Sequence, residues 1–216
     1  MTFPEYYKKL ERILNAELPG KTAQYKMAPL KRNMPETPSK REAKYAGVLI
    51  LLYPVEEEHY IILIRRSLYD GVHSGQISFP GGKYESRDGD LIYTALRETD
   101  EEIGVSANEI QVIGKLTPLL IPVSNYIVHP VVGALTSEPA FERNNKEVEE
   151  IFSVKLEKLT RPGCIIYNGE IYENERYIKA PYFHYKQFKI WGATAMILSE
   201  FIELHQNIKP GLKSGP

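Results

Sequence analysis

The sequence has little cysteine, little excess charge and no long apolar run. Its 216 residues include one cysteine, Cys164, so no disulfide can form within the chain, and we expect a reducing, cytoplasmic environment. The net charge of −1 argues against a nucleic-acid partner, because binding to a phosphate backbone normally needs a strong basic excess. The longest apolar run, residues 46–53, is far too short to cross a bilayer. The beginning of the sequence also lacks the apolar segment of a signal peptide, so we expect a soluble protein with no membrane partner.

An acidic cluster follows a glycine turn near the middle of the chain. Residues 91–103 place apolar or small side chains on one face at about 100° per residue, which predicts an amphipathic helix. Glu98 and Glu102 then lie one turn apart, with Glu101 beside them. Such close carboxylates repel one another unless a cation lies among them, and they prefer Mg²⁺ or Mn²⁺ to zinc. The alternative is a solvated helix face, but the glycine turn and the helix stop at Gly104 favour a metal site.

This stretch resembles the Nudix box, in which Gly, five spacers, Glu and seven spacers precede Arg-Glu-U-X-Glu-Glu-X-Gly-U, U being a bulky aliphatic residue. The matching positions of the second half are Arg97, Glu98, Glu101, Glu102, Gly104 and Val105. Thr99 stands at the first U. In the first half, Asp88 stands five spacers after Gly82 where the family has glutamate, and the loop that follows is one residue longer. The family's first glutamate therefore has no secure counterpart here.

The resemblance implies roles for the matching residues. Glu98 and Glu102 would be the main ligands of Mg²⁺ or Mn²⁺, and Glu101 a further ligand or the general base. Arg97 would brace these acids, and Gly82 would lend its carbonyl oxygen to the metal.

Nudix enzymes often draw one more acid from a loop outside the box. Glu147, Glu149 and Glu150 are the candidates, with Glu147 first because it fits the family pattern best. The alternative for all three is a solvated acidic turn.

A second motif precedes the box. Residues 62–67 and 75–82 resemble the element that marks coenzyme A pyrophosphatases within the Nudix group. The matching positions, which become candidate substrate-binding residues, are Arg66, Ser67, Gly75, Phe79, Pro80, Gly81 and Gly82. Gly71 stands where the pattern has a second arginine, and glycine offers no phosphate donor. Arg66 is the expected phosphate contact, the alternative being a surface arginine in a salt bridge, and the glycines would let backbone approach the diphosphate closely.

The resemblance as a whole implies a hydrolase that cleaves coenzyme A or acyl-coenzyme A to 3′,5′-ADP and (acyl-)4′-phosphopantetheine. Two alternatives stay open. One is a Nudix hydrolase of another nucleoside diphosphate derivative, such as ADP-ribose or NADH, and the other is a non-catalytic nucleotide sensor. The acidic cluster argues against a sensor, which has no chemical need for it. The oligomeric state is open, with a homodimer as one option.

Local patterns predict a helix at 5–18, an irregular basic segment at 21–44, and a last helix at 191–205. Strands are predicted at 46–53, 59–64, 110–116 and 127–135, with a hairpin at 165–172 and 177–183. Periodicity alone supports only an α+β or α/β domain. The resemblance implies a Nudix-type α/β/α sandwich with a mixed sheet, covering residues 45–207, preceded by an N-terminal segment at 1–44 and followed by a tail at 208–216.

Overall fold

The computed structural model describes residues 1–29, 43–68, 73–173 and 176–208. Gly71 and most of the basic segment therefore lie outside the described residues. The helices of the described residues are α1 (Phe3–Leu14), α2 (Gly20–Gln24), α3 (Leu91–Ile103), α4 (Leu156–Leu159) and α5 (Gly192–Ile208). The first strands are β1 (Lys44–Val55), β2 (Glu58–Arg66), β3 (Ile77–Ser78), β4 (Gly81–Lys83), β5 (Gln111–Lys115), β6 (Leu119–Ile121) and β7 (Tyr126–Ala134). The later strands are β8 (Val148–Lys155), β9 (Ile165–Ile166), β10 (Glu170–Glu173), β11 (Arg176–Lys179), β12 (Tyr182–Tyr185) and β13 (Phe188–Trp191).

The centre of the fold is a mixed sheet in which strands follow the order β3-β2-β1-β7-β5. β1 runs parallel to β7 and antiparallel to β2. The first half of β1 also pairs with β4, β8 adds to β2, and β6 adds to β7. The mixed sheet and the N-terminal helix confirm the expected α/β fold.

The sheet separates two apolar layers because successive residues of a strand point to opposite faces. Leu49 and Leu51 of β1 pack in a cluster with Ile103 of α3. Their neighbours Ile50 and Leu52 pack in the other cluster, to which α1 and α5 contribute. β1 is buried on both faces, which explains its nearly continuous apolar sequence.

Helix α3 has the bounds predicted from the sequence. Asp90 caps its first turn by accepting a hydrogen bond from the Tyr93 amide at 2.7 Å. Gly104 ends it in the left-handed conformation, with φ of 72°. The helix lies close against β1, since a Cβ at Gly47 would come within 2.9 Å of the Ala95 amide nitrogen.

Residues 1–29 of the N-terminal segment contain more helix than predicted, and the first helix is shifted. α1 begins at Phe3, where Thr2 and Glu5 form a capping box, and it ends at Leu14 rather than at residue 18. A second helix, α2, begins at Gly20, where the sequence predicted irregular chain. The reason is tertiary: the buried carboxylate of Glu200 accepts hydrogen bonds from the Gly20 amide and from the Gln24 side chain.

Several short strands were missed or misplaced by sequence patterns. No strand was predicted at β8, whose first acids were assigned to a loop, and β3, β4 and β6 were not predicted either. The predicted hairpin is confirmed in β10 and β11, but its outer parts belong to a separate three-stranded sheet of β9, β12 and β13. Trp191 ends β13 rather than opening the last helix, which begins at Gly192. No described helix is long and apolar enough to span a membrane.

Candidate active site

The glycine turn and helix α3 meet at one wall of the site. Gly82 of β4 pairs with Gly47 of β1, on the sheet face that carries α3. A Cβ at Gly82 would overlap the Glu98 carboxylate. Only glycine therefore permits this approach of the helix acid to the turn.

Glu102 is deeply buried, with its side chain only 1% exposed. Its Oε2 accepts a hydrogen bond from the Gly81 amide at 2.8 Å. Its Oε1 accepts one from Nη1 of Arg66 at 3.3 Å. Burial raises the pKa of Glu102 to about 8, a rise that the Arg66 charge and the Gly81 amide oppose. Burial also raises the pKa of Glu98, against the opposing charge of Arg97.

Glu147 completes a group of three acids. Single carboxylate oxygens of Glu98, Glu102 and Glu147 all lie within 4.8 Å of one another. The backbone fixes Glu147 there, because its carbonyl accepts from the Ser67 amide at 2.9 Å. The Asn144 amide, in the same loop, donates to the Glu102 carbonyl at 3.0 Å.

A β-bulge lies in β8 beside the three acids of this loop. Arg65 pairs with Glu150 and Arg66 with Val148, so Glu149 is the extra residue on β8. A shift of one residue exchanges the two faces of a strand. The Glu150 carboxylate accordingly lies near Arg65 at 3.6 Å, away from the cluster of three acids.

Arg97 connects the helix acids to the preceding turn. Its guanidinium lies 2.9 Å from Glu98 and 3.0 Å from Glu101, and it also donates to the carbonyl of Lys83. Glu101 is exposed and has a second arginine, Arg87, at 3.4 Å. The structure thus groups Glu101 with arginines and leaves it out of the cluster of three acids.

Asp88 is the residue whose role the sequence left undefined. Its carboxylate is buried and accepts from Nε of Arg97 at 2.7 Å and from Nη2 at 3.0 Å. These bonds hold the pKa of Asp88 well below its usual range. Asp88 therefore orients the arginine and does not join the acid cluster. In the sequence, Gly89-Asp90 indicated how the additional loop residue is accommodated, because Gly89 ends the short turn and Asp90 caps α3.

The other candidate substrate-binding residues differ in their surroundings. Ser67 is half-buried, and Gly75 has a positive φ of 69°. Phe79 is 2% exposed and packs in the core cluster that includes α1 and α5, so its side chain does not line the site. The Pro80 carbonyl accepts from the Leu49 amide at 2.8 Å, which anchors the turn to β1.

The donor set suits a hard divalent cation. Three carboxylates converge within 4.8 Å, and two of them have pKa values raised by burial. Burial of such mutually repelling acids is unfavourable without a compensating cation. Carboxylate oxygens are typical ligands of Mg²⁺ and Mn²⁺.

Comparisons with known proteins identify the family and agree with the fold. Residues 43–173 match the NUDIX domain. The chain is 34% identical over 160 residues to the uncharacterized Nudix hydrolase NudL of Photorhabdus laumondii, covering 74% of this chain and 84% of that protein. It is 37% identical over 156 residues to NudL of Yersinia pestis, covering 71% and 75%. A MutT/nudix family protein from Enterococcus faecalis shares the fold, with a TM-score of 0.52 and 17% identity over all of this chain and 78% of the other.

The chain therefore belongs to the Nudix hydrolases. This family acts on nucleoside diphosphate derivatives and generally uses divalent metals.

Proposed function

We propose that this hydrolase cleaves the pyrophosphate bond of coenzyme A or acyl-coenzyme A. The observation that carries the proposal is the convergence of the two sequence motifs. Arg66, from the coenzyme A motif, lies 3.3 Å from Glu102 of the Nudix helix. The glycine turn of the same motif donates its Gly81 amide to that carboxylate at 2.8 Å.

Each part of the site has a distinct task in the proposed reaction. Glu98, Glu102 and Glu147 would hold Mg²⁺ or Mn²⁺, which would neutralise charge on the pyrophosphate oxygens and acidify a water molecule. Arg66 binds a substrate phosphate through its planar guanidinium. Arg97 contacts no substrate and keeps Glu98 in position. Water attacks one phosphorus atom, the bridging P–O bond breaks, and each product leaves with one terminal phosphate.

Of the three acids, Glu147 is the one suited to proton exchange. It is exposed, whereas Glu98 is partly buried and Glu102 is buried. An exposed carboxylate can take a proton from attacking water and pass it to solvent. We therefore assign Glu147 both a ligand role and the candidate proton-acceptor role.

Product analysis tests this proposal directly. Purified protein with Mn²⁺ or Mg²⁺ is incubated with coenzyme A, acetyl-coenzyme A, ADP-ribose and NADH, and the products are separated by ion-pair chromatography. We expect the highest kcat/KM for the coenzyme A compounds, with 3′,5′-ADP as the common product. A higher kcat/KM for ADP-ribose or NADH would replace the substrate assignment, and binding without turnover would indicate a sensor.

A pair of neighbouring substitutions tests the metal assignment. Glu147→Gln removes a cluster carboxylate and is expected to lower both Mn²⁺ affinity and kcat. Glu149→Gln is the matched control, because it makes the same change on the bulge residue two positions along. Equal losses in the two variants would remove Glu147 from the site.

A further inference from the structure

The guanidinium of Arg66 lies beside the acid cluster of Glu98, Glu102 and Glu147. Its Nη1 lies 3.3 Å from Oε1 of Glu102, and the side chain of Glu102 is only 1% exposed. The other oxygen of that carboxylate, Oε2, already accepts a hydrogen bond from the Gly81 amide. A cation that uses Oε1 of Glu102 would therefore approach the Arg66 charge.

The second arginine of the site is fixed differently. The side chain of Arg97 is 9% exposed, and it donates two hydrogen bonds to the Asp88 carboxylate in addition to its contact with Glu98. Arg66 is 26% exposed and lies at the end of β2, so its guanidinium has access to solvent. Arg66 can therefore change partners without breaking a buried network, whereas Arg97 cannot.

We propose that Arg66 has two alternative partners, the Glu102 carboxylate and a substrate phosphate, and that a divalent cation competes with it for Glu102. This inference rests on the proposed function, since it assumes a metal at the cluster and a phosphorylated substrate. A cation that weakens the Arg66–Glu102 pair makes the guanidinium available for phosphate. By linkage, a phosphate that binds Arg66 strengthens cation binding to the same degree.

The preceding residue provides a matched control. Arg65 is also an arginine of β2, but it points to the opposite sheet face. Its guanidinium lies 5.2 Å from the centre of the Phe188 ring and 3.6 Å from Glu150. Its charge thus lies outside the acid cluster, although it is next to Arg66 in sequence.

The test measures Mn²⁺ binding in the absence of substrate. The electron paramagnetic resonance signal of free Mn²⁺ reports how much of the ion is bound. Arg66→Gln should lower the Kd for Mn²⁺ about tenfold, because Glu102 is freed from one charged hydrogen bond. Arg65→Gln should leave the Kd unchanged. An unchanged or higher Kd in Arg66→Gln would overturn the competition and make Arg66 a support for the metal site.

A double-mutant cycle shows whether the effect passes through Glu102. In a Glu102→Gln background, the additional Arg66→Gln substitution should change the Kd by less than about twofold, which is the range of general electrostatics. A full tenfold effect in this background would contradict competition at Glu102.

A measurement on the unsubstituted protein avoids any effect of mutation on folding. Titration with Mg²⁺ should shift the side-chain Nε–H resonance of Arg66 in ¹⁵N-arginine spectra and leave that of Arg65 in place. If Mg²⁺ binds and the Arg66 signal does not move, the inference fails while the metal assignment stands. If neither Mg²⁺ nor Mn²⁺ binds, the proposed metal-dependent function itself fails.

Discussion

Replacing Asp88 with asparagine tests the support that holds the Nudix helix acids in position. Asp88 accepts two hydrogen bonds from Arg97, one from the Thr94 hydroxyl at 2.9 Å and one from the Glu85 amide at 2.9 Å. Asparagine is nearly isosteric, but it replaces one acceptor oxygen with an N–H donor. At least one of these four donor groups then faces the N–H₂ of asparagine instead of an acceptor oxygen. The Arg97 guanidinium also loses its main counter-charge.

The magnitude follows from burial of the pair. Breaking a buried ion pair by removing one charge costs about 3–5 kcal/mol. Arg97 keeps its contacts with Glu98 and Glu101, so we expect a smaller loss than this, about 2–3 kcal/mol of unfolding free energy. For a chain of this size the Tm should fall by roughly 5–10 °C. The kcat should fall as well, because Arg97 would no longer be held in the position from which it orients Glu98.

Asp90→Asn is the matched control for this prediction. Asp90 caps α3 from an exposed position, and asparagine caps a helix about as well as aspartate. Unfolding of both variants is followed by circular dichroism in urea, and turnover is measured on the best substrate. If Asp88→Asn is no less stable than Asp90→Asn, the argument from the Asp88–Arg97 pair is refuted.

The same pair predicts a pH dependence. The pKa of Asp88 is depressed in the folded protein by the Arg97 hydrogen bonds. A depressed pKa contributes stability above the unfolded-state value of about 4, and this contribution is lost as the pH falls below it. The difference in unfolding free energy between the original protein and Asp88→Asn should therefore be constant above about pH 5 and shrink below about pH 4. A difference that persists unchanged to pH 3 would contradict the assignment.

Four further substitutions test other parts of the molecule. Gly82→Ala places a methyl group on the Glu98 carboxylate, so it should weaken Mn²⁺ binding with an unfolding free energy within about 1 kcal/mol of the original; unchanged Mn²⁺ affinity would argue against the close approach. Glu98→Gln should lower kcat by orders of magnitude and Glu101→Gln by about tenfold, as expected for a residue outside the metal ligands; equal losses would place both acids in one role. Tyr6→Phe removes a buried 2.7 Å contact with Nδ1 of His205 and should cost about 1 kcal/mol of unfolding free energy with kcat unchanged; a change in kcat alone would show that this contact influences the site.

The core elements of the fold could be predicted because their signals are local. Helix α3 has an apolar face at helical spacing and Gly104 at its end, and its predicted bounds agree with the structure. The predicted strands at 46–53 and 59–64 match β1 and β2, whose β-branched and aliphatic runs are buried on both faces. In these elements intrinsic preference and tertiary packing favour the same conformation.

The errors occurred where distant residues decide the local structure. Helix α2 depends on Glu200, which is 180 positions from Gly20. The strand β8 carries acids that favour a turn by composition, but its pairing with β2 provides the backbone hydrogen bonds. Glu200 and β2 are distant in sequence from the segments that they stabilise, so local sequence patterns do not reveal them.

For the active site, the sequence by itself determined the chemistry, and the tertiary structure decided which atoms meet. Helical spacing places Glu98 and Glu102 on neighbouring turns, and this follows from the geometry of any α-helix. Sequence patterns could only rank Glu147 above the other acids of its loop. Its carboxylate reaches the cluster because the loop before β8 is held against the end of β2, where the Ser67 amide donates to the Glu147 carbonyl. The contact of Arg66 with Glu102 likewise depends on the packing of α3 on β1, the sheet neighbour of β2, which brings together residues 36 positions apart.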